Sequence, residues 1–488
     1  MNRNTFVFGI GGTGARVIRA LTMLLASGVQ LSHAGKIIPV IIDVDAENED
    51  TSRTIKALDL YKKIRVGAYG EQADAVQGFF SAPLNTLSSQ QVSEGDKIRD
   101  EFQLKFAGIS STFGNYLKTA EMEGVDEELL RLLYDASPAS RPEAELNLEL
   151  TKGFKGNPNI GCIIFNELEN SPEFRYFQKA IREEDRIFIV SSIFGGTGSA
   201  GFPQLLKLLK GSNNSMVNRA KTGAVTIMPY FSVQDDSGSA IDSARFISKT
   251  KAALSYYEGE MEQLASMYYI YDKPGSTPYK NNEGGRAQKN DAHIVELLAA
   301  TAIVDFTNRR DEAFESSTQY YEYGIKRNDT TIDIRHFFPE VQQAIMRPLT
   351  DLTYASKAWL EFIPTALGEA FAKNLTLDHQ LGSNAFFMNL TAFLKDHYMQ
   401  WLAEMGRNSR TFRPFNITDG FNSMVVGQQI KTGLIERGIS ESFLKTQSGR
   451  LENDLQKGVP QVEKRTLLLL NALAEKCFAK LEKLPAMA

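Results

Sequence analysis

The sequence predicts an α/β protein. A doubly wound, mainly parallel Rossmann-like sheet spans residues 1–310, and a mainly helical C-terminal region spans 311–488. Three observations predict this. Short strand-like runs alternate with helix-like runs from residue 5 to residue 306, the pattern of stacked βαβ units. Two of the strands break directly into glycine clusters and then into helices, at residues 9–14 and 195–201. Beyond Phe306 strand-like stretches become few.

The second cluster organises the domain. Ile187, Phe188, Ile189 and Val190 form an apolar run bounded by Glu183, Glu184, Asp185 and Arg186, the profile of a strand buried on both faces. Gly195, Gly196, Thr197, Gly198, Ser199, Ala200 and Gly201 follow. Such a stretch leaves backbone N–H groups free to point at an anion. Pro203 fits the first turn of the next helix, whose positive dipole end would meet the same anion. Strand, glycine loop and helix read as a phosphate cradle.

The remaining elements follow in order. Residues 5–8 read as a strand and 15–26 as a helix, with Val17, Ile18, Leu21, Leu24 and Leu25 at helical spacing. Between them Gly9, Gly11 and Gly14 fit G-x-G-x-x-G, a moderately specific dinucleotide fingerprint. Residues 37–42 form the second strand, which ends in Asp43, Val44 and Asp45. A carboxylate there faces the same crevice. It can accept from a ribose hydroxyl, hold a hydrated Mg2+, or cap the next helix. Residues 48–150 read as an insertion packed on the sheet, with no chemistry of its own. Residues 153–161 are a third glycine-rich loop, read alone as a turn, and 162–181 a helix. Strands at 224–229 and 267–272 flank a helix at 240–257. Polar loops cover 230–239 and 273–286, and an apolar helix covers 290–306 with Asn290 as its cap. Helices are expected at 341–367, 386–405, 420–437 and 462–484.

Composition narrows the function classes. A net charge of −5 argues against general nucleic-acid binding. Two cysteines, Cys162 and Cys477, offer neither a disulfide framework nor a cysteine zinc site. The opening residues carry no charged-then-apolar signal segment. The longest apolar runs, such as 294–304, fall short of the roughly 20 residues that span a bilayer. A cytoplasmic protein with no direct membrane insertion is expected.

Taken together, the loops resemble those of the tubulin and FtsZ superfamily of GTP-binding cytoskeletal proteins. Gly195, Gly196, Thr197, Gly198 and Ser199 resemble the tubulin signature, although Ala200 displaces its last glycine to Gly201 and Phe194 stands where the family prefers a small residue. Asp43, Val44 and Asp45 look like the Asp-Leu-Glu of tubulin, and Asp45 with Ala46 like the Asp-Ala of FtsZ. Residues 153–161 look like the Gly-Gly-Asn-Pro loop of FtsZ that faces the γ-phosphate, and residues 9–14 match the first phosphate loop. The four motifs stand in the family's order over roughly the first 310 residues.

The resemblance implies GTP or GDP with Mg2+ as cofactors. Gly11, Gly12, Thr13, Gly156, Asn157, Gly195, Gly196, Thr197, Gly198 and Ser199 would bind phosphate, mainly through backbone N–H groups. Asp43 would line the same crevice, Asp45 would act near Mg2+ or the attacking water, and Asn290 would face the base. In tubulins an acid after the long helix completes a neighbouring subunit's site. Here Asp311 and Glu312 are displaced and Arg309 and Arg310 intrude, so slow turnover is expected. The leading expectation is a slow GTPase that assembles head to tail with itself. Alternatives are a non-polymerising switch or scaffold acting with partner proteins, and an NAD(P)-binding Rossmann oxidoreductase. The last has no use for the second glycine loop.

Overall fold

Seven strands form one parallel sheet in the order β3-β2-β1-β4-β5-β6-β7. They are β1 (Arg3–Ile10), β2 (Ala34–Ile42), β3 (Gln103–Leu104), β4 (Arg186–Ser192), β5 (Lys221–Ile227), β6 (Ser266–Tyr271) and β7 (Gln319–Gly324). The chain winds outward from β1 in one direction and from β4 in the other, the doubly wound arrangement expected. The computed structural model describes all residues except 1–2, 32–33, 46, 72–76, 91, 93–97, 99–101, 107–108, 110, 135–143, 232–242, 273–284, 286–287, 315–316, 325–328, 409, 432–437 and 483–488. Most of the loops read at 230–239 and 273–286 therefore lie outside the described residues, as does Ala46.

Every residue of β4 is buried, which is why its sequence reads as an unbroken apolar run. Helices α1 (Gly11–Ala26) and α2 (Glu49–Tyr69) pack together, and the later helix α8 (Ile294–Asn308) packs on α1. The chain read as an insertion from residue 48 thus begins with a helix of the sheet's own covering layer. Beyond it, the short helix α3 (Val125–Leu133) contributes no buried residue. Helices α4 (Pro158–Ile164), α6 (Gly196–Lys210) and α7 (Ser243–Met261) pack in sequence against one another. Phe6 and Phe8 of β1 meet Phe177 of α5 (Pro172–Ala180) at ring separations of 5.0 Å each.

Several expectations need correcting. Residues 162–181 are not one helix: α4 ends at Ile164, a tight turn runs Phe165–Asn170, and Pro172 restarts the chain as α5. Proline disfavours a helical residue before it, and Ser171 is extended accordingly. Pro203 lies inside α6 rather than in its first turn. Its ring removes the N–H that would bond the Ser199 carbonyl, and the Tyr257 hydroxyl donates to that carbonyl instead at 2.7 Å. Asn290 does not cap the long helix. His293 does, with Glu296 closing a reciprocal capping box.

The C-terminal region packs on α2. Helical turns run from Pro339 to Thr365 and from Ala385 to Met405. The helix expected at 420–437 is absent from its described part, where Gly427 sits at φ 75° in a turn. Helix α9 (Glu441–Gln456), capped by Ser440, follows instead, and α10 (Val462–Phe478) matches the last expected helix. No described helix is long and apolar enough to cross a membrane.

Candidate functional site

A pocket of about 200 Å³ opens at the carboxyl ends of β1 and β4. These strands are neighbours, and the winding direction reverses between them, which is where open α/β sheets bind ligands. Two helices begin here. Ile10 starts α1 and Gly195 starts α6, neither with a side-chain cap and neither with an acid in its first turn. In contrast, α2 is capped by Asn48 and carries Glu49 and Asp50 in its first turn. The first N–H groups of any helix lack intrahelical acceptors. In α1 and α6 no capping side chain or nearby acid takes that role, so both positive ends face the pocket.

Glycine lets the backbone come this close. Gly11 is at φ 69°, and a Cβ on it would lie 3.2 Å from Thr197 Cβ. A Cβ on Gly14 would lie 2.5 Å from the Gly9 carbonyl carbon, and one on Gly198 would lie 2.7 Å from the Ser192 carbonyl oxygen. Gly11, Gly12, Thr13, Gly195, Gly196, Thr197 and Gly198 all line the cavity.

The third glycine loop closes over this cradle. A Cβ on Gly196 would meet the Gly156 backbone nitrogen at 2.9 Å. Gly153, Lys155 and Gly156 stand at φ 83°, 43° and 77°. Phe154, between the first two, is buried and packs near Phe165. The ammonium of Lys249 holds the Gly156 carbonyl.

The acidic side is built on the end of β2. Asp43 is buried and accepts from the Asp45 N–H at 3.2 Å and from the Asn48 amide at 3.0 Å. Burial pushes its carboxyl up to about 7, against the partial offset of those donors. Asp45 accepts from the N–H groups of Glu47 at 3.0 Å and Gly285 at 2.6 Å. Among the described residues no three His, Cys, Asp or Glu side chains cluster to hold a metal unaided. Mg2+ needs only one or two carboxylates when phosphate oxygens and water complete its shell, and Asp43 and Asp45 both line the cavity.

The floor is a buried charge network. Arg16 reaches Asp50 at 2.8 Å, Glu296 at 2.5 Å and the Tyr230 hydroxyl at 3.0 Å. Burial works against its charge, yet Tyr230, Glu296 and Asp50 hold its pKa well above the usual value. Burial raises the Glu296 carboxyl while Arg16 lowers it, with a net rise. His293 is pushed down to about 3 by burial and by Arg16 and Arg410, so its ring is neutral and accepts from the Val295 N–H. Phe194, Tyr230 and Phe231 make an aromatic wall, with Phe231 at 5.4 Å from Phe194 and 4.9 Å from Tyr230.

Of the residues expected here from sequence, Asp43, Asp45, Gly156 and Asn290 line the cavity beside the glycines and threonines of the two cradle loops. Asn290 is turned toward Asp50, which accepts from its N–H at 3.0 Å and its amide at 2.8 Å. Two residues are not among the lining. Asn157 accepts from the Gly161 N–H as α4 begins, and the Ser199 hydroxyl turns back to the Gly195 carbonyl. Asp311 and Glu312 do not reach the pocket within this chain. Asp311 lies among Arg3, Arg186 and Lys221 at 2.7, 2.9 and 3.0 Å. Arg3, Arg186 and Lys221 are the first residues of β1, β4 and β5, so the cluster sits at the amino edge of the sheet. The eight residues of β1, seven rises of ~3.3 Å, separate it from the cradle by roughly 23 Å. Lys221 and Arg186 hold the Asp311 carboxyl down at about 2 despite burial pushing it up. Glu312 is exposed.

Sequence reasoning missed Arg16, Asn48, Lys152, Lys155, Tyr230, Phe231 and His293. Arg16 had a local signal, a charge set between Ala15 and Val17 in an otherwise apolar helix. Lys155 had one too, a cation inside a glycine loop.

No family model matches the chain, and no curated protein matches it. Among solved structures, CetZ from Methanosaeta thermophila strain DSM 6194 is similar at 12% identity with a TM-score of 0.27. The likeness covers 64% of this chain and 56% of that one, so the chain spans little more than half the length of the structure it matches.

Proposed function

We propose that the pocket binds GTP or GDP with Mg2+, and that the chain is a slow GTPase associating head to tail with copies of itself. The observation that carries this reading is the meeting of two uncapped, glycine-opened helix N-termini in one pocket. Two such ends can hold successive phosphates of a nucleotide through backbone N–H groups. A dinucleotide fold of the NAD(P) type uses only the first. Motif order supports guanine nucleotide, since the four loops resemble those of tubulin and FtsZ in sequence.

The roles then follow from chemistry. Backbone N–H groups of Gly11, Gly12, Gly196, Thr197 and Gly198 bind phosphate oxygens, and the Thr13 and Thr197 hydroxyls add donors. Asp45, with Asp43 beside it, would hold a hydrated Mg2+, which neutralises phosphate charge when bound. Asn290 and the aromatic wall stand on the base side. The pocket is at the carboxyl edge of the sheet and Asp311 and Glu312 at the amino edge. The two meet only if one copy stacks on the next, and such a contact repeats without closing.

One observation favours a second reading. Asp311 already balances three cations, which supports a guanine-nucleotide switch or scaffold that hydrolyses little and acts with partner proteins. Competition titration against a fluorescent GTP analogue tests the ligand, and displacement by ATP or NAD as readily as by GTP sinks the proposal. Phosphate release per subunit, measured across a protein concentration series, separates the two readings. A steep rise supports the assembling GTPase, and no release at any concentration with GTP still bound supports the switch.

A further inference from the structure

After β3, at one edge of the sheet, the chain makes an excursion on a pinned stem. Thr112 and Glu149 form an antiparallel bridge, the Phe113 N–H donates to the Leu148 carbonyl at 2.9 Å, and the Leu150 N–H donates to the Ser111 carbonyl at 3.3 Å. Phe113, Leu148 and Leu150 are buried, and Tyr134 packs edge-on against Phe113 with ring centres 5.1 Å apart. Between the two sides of this stem stands α3, which begins after Gly124 at φ 64°.

Helix α3 is amphipathic yet buries nothing. Val125, Leu129, Leu132 and Leu133 stand at i, i+4, i+7 and i+8 and share one face. They are 82%, 52%, 84% and 61% exposed. An apolar stripe of this spacing ordinarily faces a core. At nine residues the helix is also shorter than the ~12–15 that hold a helix in water without packing. The stripe is spaced for a surface that the described residues do not provide.

Charge and area say what that surface is. Residues 121–133 carry five acids, Glu121, Glu123, Asp126, Glu127 and Glu128, against Arg131, which pairs with Glu127 at 2.7 Å. A second copy of the helix would bring the same five acids to the contact. It would also offer too little area, since four aliphatic side chains expose roughly 200–500 Å² and each partner in a stable interface buries ~800 Å². A groove closes around such a stripe and takes up its flanks as well. Basic residues on the rim of that groove would meet the acids.

We infer that α3 is a docking helix. Its apolar stripe enters a groove with an apolar floor and a rim of Lys or Arg, on a protein other than this chain. The inference is independent of what the pocket binds.

The test uses the full chain with a photo-activatable phenylalanine analogue in place of Leu132, irradiated in an extract of its source cells. Adducts are mapped by mass spectrometry, and a carbodiimide joins carboxylates to lysine amines in a parallel sample. Leu132 is expected to couple to an apolar residue of one other protein, and Asp126 or Glu128 to lysines of that same protein. With that protein purified, Leu129→Ser combined with Leu132→Ser should weaken the complex roughly 10- to 100-fold. Asp126→Lys combined with Glu128→Lys should weaken it about tenfold and abolish most of its salt dependence. Both variants should keep the thermal unfolding temperature within about 2 °C, because none of the replaced side chains is buried. A larger fall in that temperature, or adducts within one molecule, means that this chain covers its own stripe and overturns the inference. Adducts to a second copy overturn it in favour of self-association. A partner contact rimmed by acids, a complex indifferent to both variants, or no adduct at all overturns it outright.

Discussion

Asp43 gives the pocket a pH dependence that Asp43→Asn removes. Its carboxyl is raised from 3.8 to about 7, chiefly by burial. A carboxyl raised on folding is protonated in the native state while the unfolded chain is already ionised. The native state then binds the extra proton, and stability falls as pH rises between the two values, levelling off above the folded one. At 1.36 kcal/mol per unit, the loss between pH 5 and pH 8 is ~2–3 kcal/mol. Asn cannot ionise, so the variant lacks this slope. It keeps the acceptor for the Asp45 N–H but sets an amide donor against the Asn48 amide, a fixed penalty of ~1 kcal/mol at every pH. Urea unfolding of nucleotide-free protein in metal-free buffer is the assay. The two proteins are expected to have similar stability at pH 5, with the variant ahead by ~2–3 kcal/mol at pH 8. Curves that stay parallel from pH 5 to pH 8 would refute the argument, because Asp43 would then not titrate there.

Two glycine variants separate fold from binding. Gly198→Ala drives a Cβ to 2.7 Å from the Ser192 carbonyl oxygen and 2.8 Å from its nitrogen, both backbone. It should cost ~1–3 kcal/mol of stability as well as nucleotide affinity. A Cβ on Gly12 meets side-chain ends rather than backbone: the amides of Asn48 and Gln288 at 3.2 and 3.3 Å and the Arg16 guanidinium at 3.8 Å. Gly12→Ala should therefore keep stability within ~1 kcal/mol while weakening binding about tenfold, and unchanged affinity in a titration would place the phosphates elsewhere. Asp311→Ala removes a half-exposed carboxylate, and Arg186 keeps the carbonyls of Phe306, Thr307 and Arg309. A loss of ~1 kcal/mol in urea is expected, with GTP affinity unchanged; lost affinity would contradict the placement of this cluster at the far edge. If Asp311 and Glu312 serve a neighbouring subunit, changing both to Ala should abolish phosphate release with GTP still bound, and continued release would remove them from catalysis.

The parallel sheet was legible because β1 and β4 are buried on both faces and so read as apolar runs. The start of α6 was not. Glycine has poor helix propensity, so residues 196–201 read as a loop although they form the first turns of the helix. Gly196, Gly198 and Gly201 are glycine because the third loop, the Ser192 backbone and Phe165 respectively approach too closely for a Cβ. β7 was missed because its sequence, Gln319 to Gly324, has no apolar run and no apolar–polar alternation, and the strand lies at the sheet edge with no residue fully buried. The cradle loops carry their chemistry in consecutive residues, whereas the floor is assembled across the fold. Arg16 and Glu296 are 280 positions apart, and Asn48 and Gln288 240 apart. Local patterning contains no term for such pairs.

The charges around the pocket explain why a cradle for an anion is walled with acids. Asp50 and Glu296 share the single charge of Arg16, a pairing whose value lies more in fixing geometry than in stability, since burying ionised groups is costly. It ties the second turn of α1 to α2 and α8. One turn along α1, Arg19 meets Glu404 of the C-terminal region, and Glu404 also accepts from Arg53 of α2 and from the Ala292 N–H at 3.1 Å each. The two turns that follow the first turn of α1 are thereby held before any ligand arrives, so the N–H groups at its start need little reorganisation to meet a phosphate. Among the described residues, no side-chain cation is a hydrogen-bond partner of Asp43 or Asp45, which face the cavity. Beside phosphate they would repel it, and a divalent cation between them turns that repulsion into attraction. On the proposed reading of the pocket, two helix ends and two acids suit a metal-bound polyphosphate better than a metal-free one.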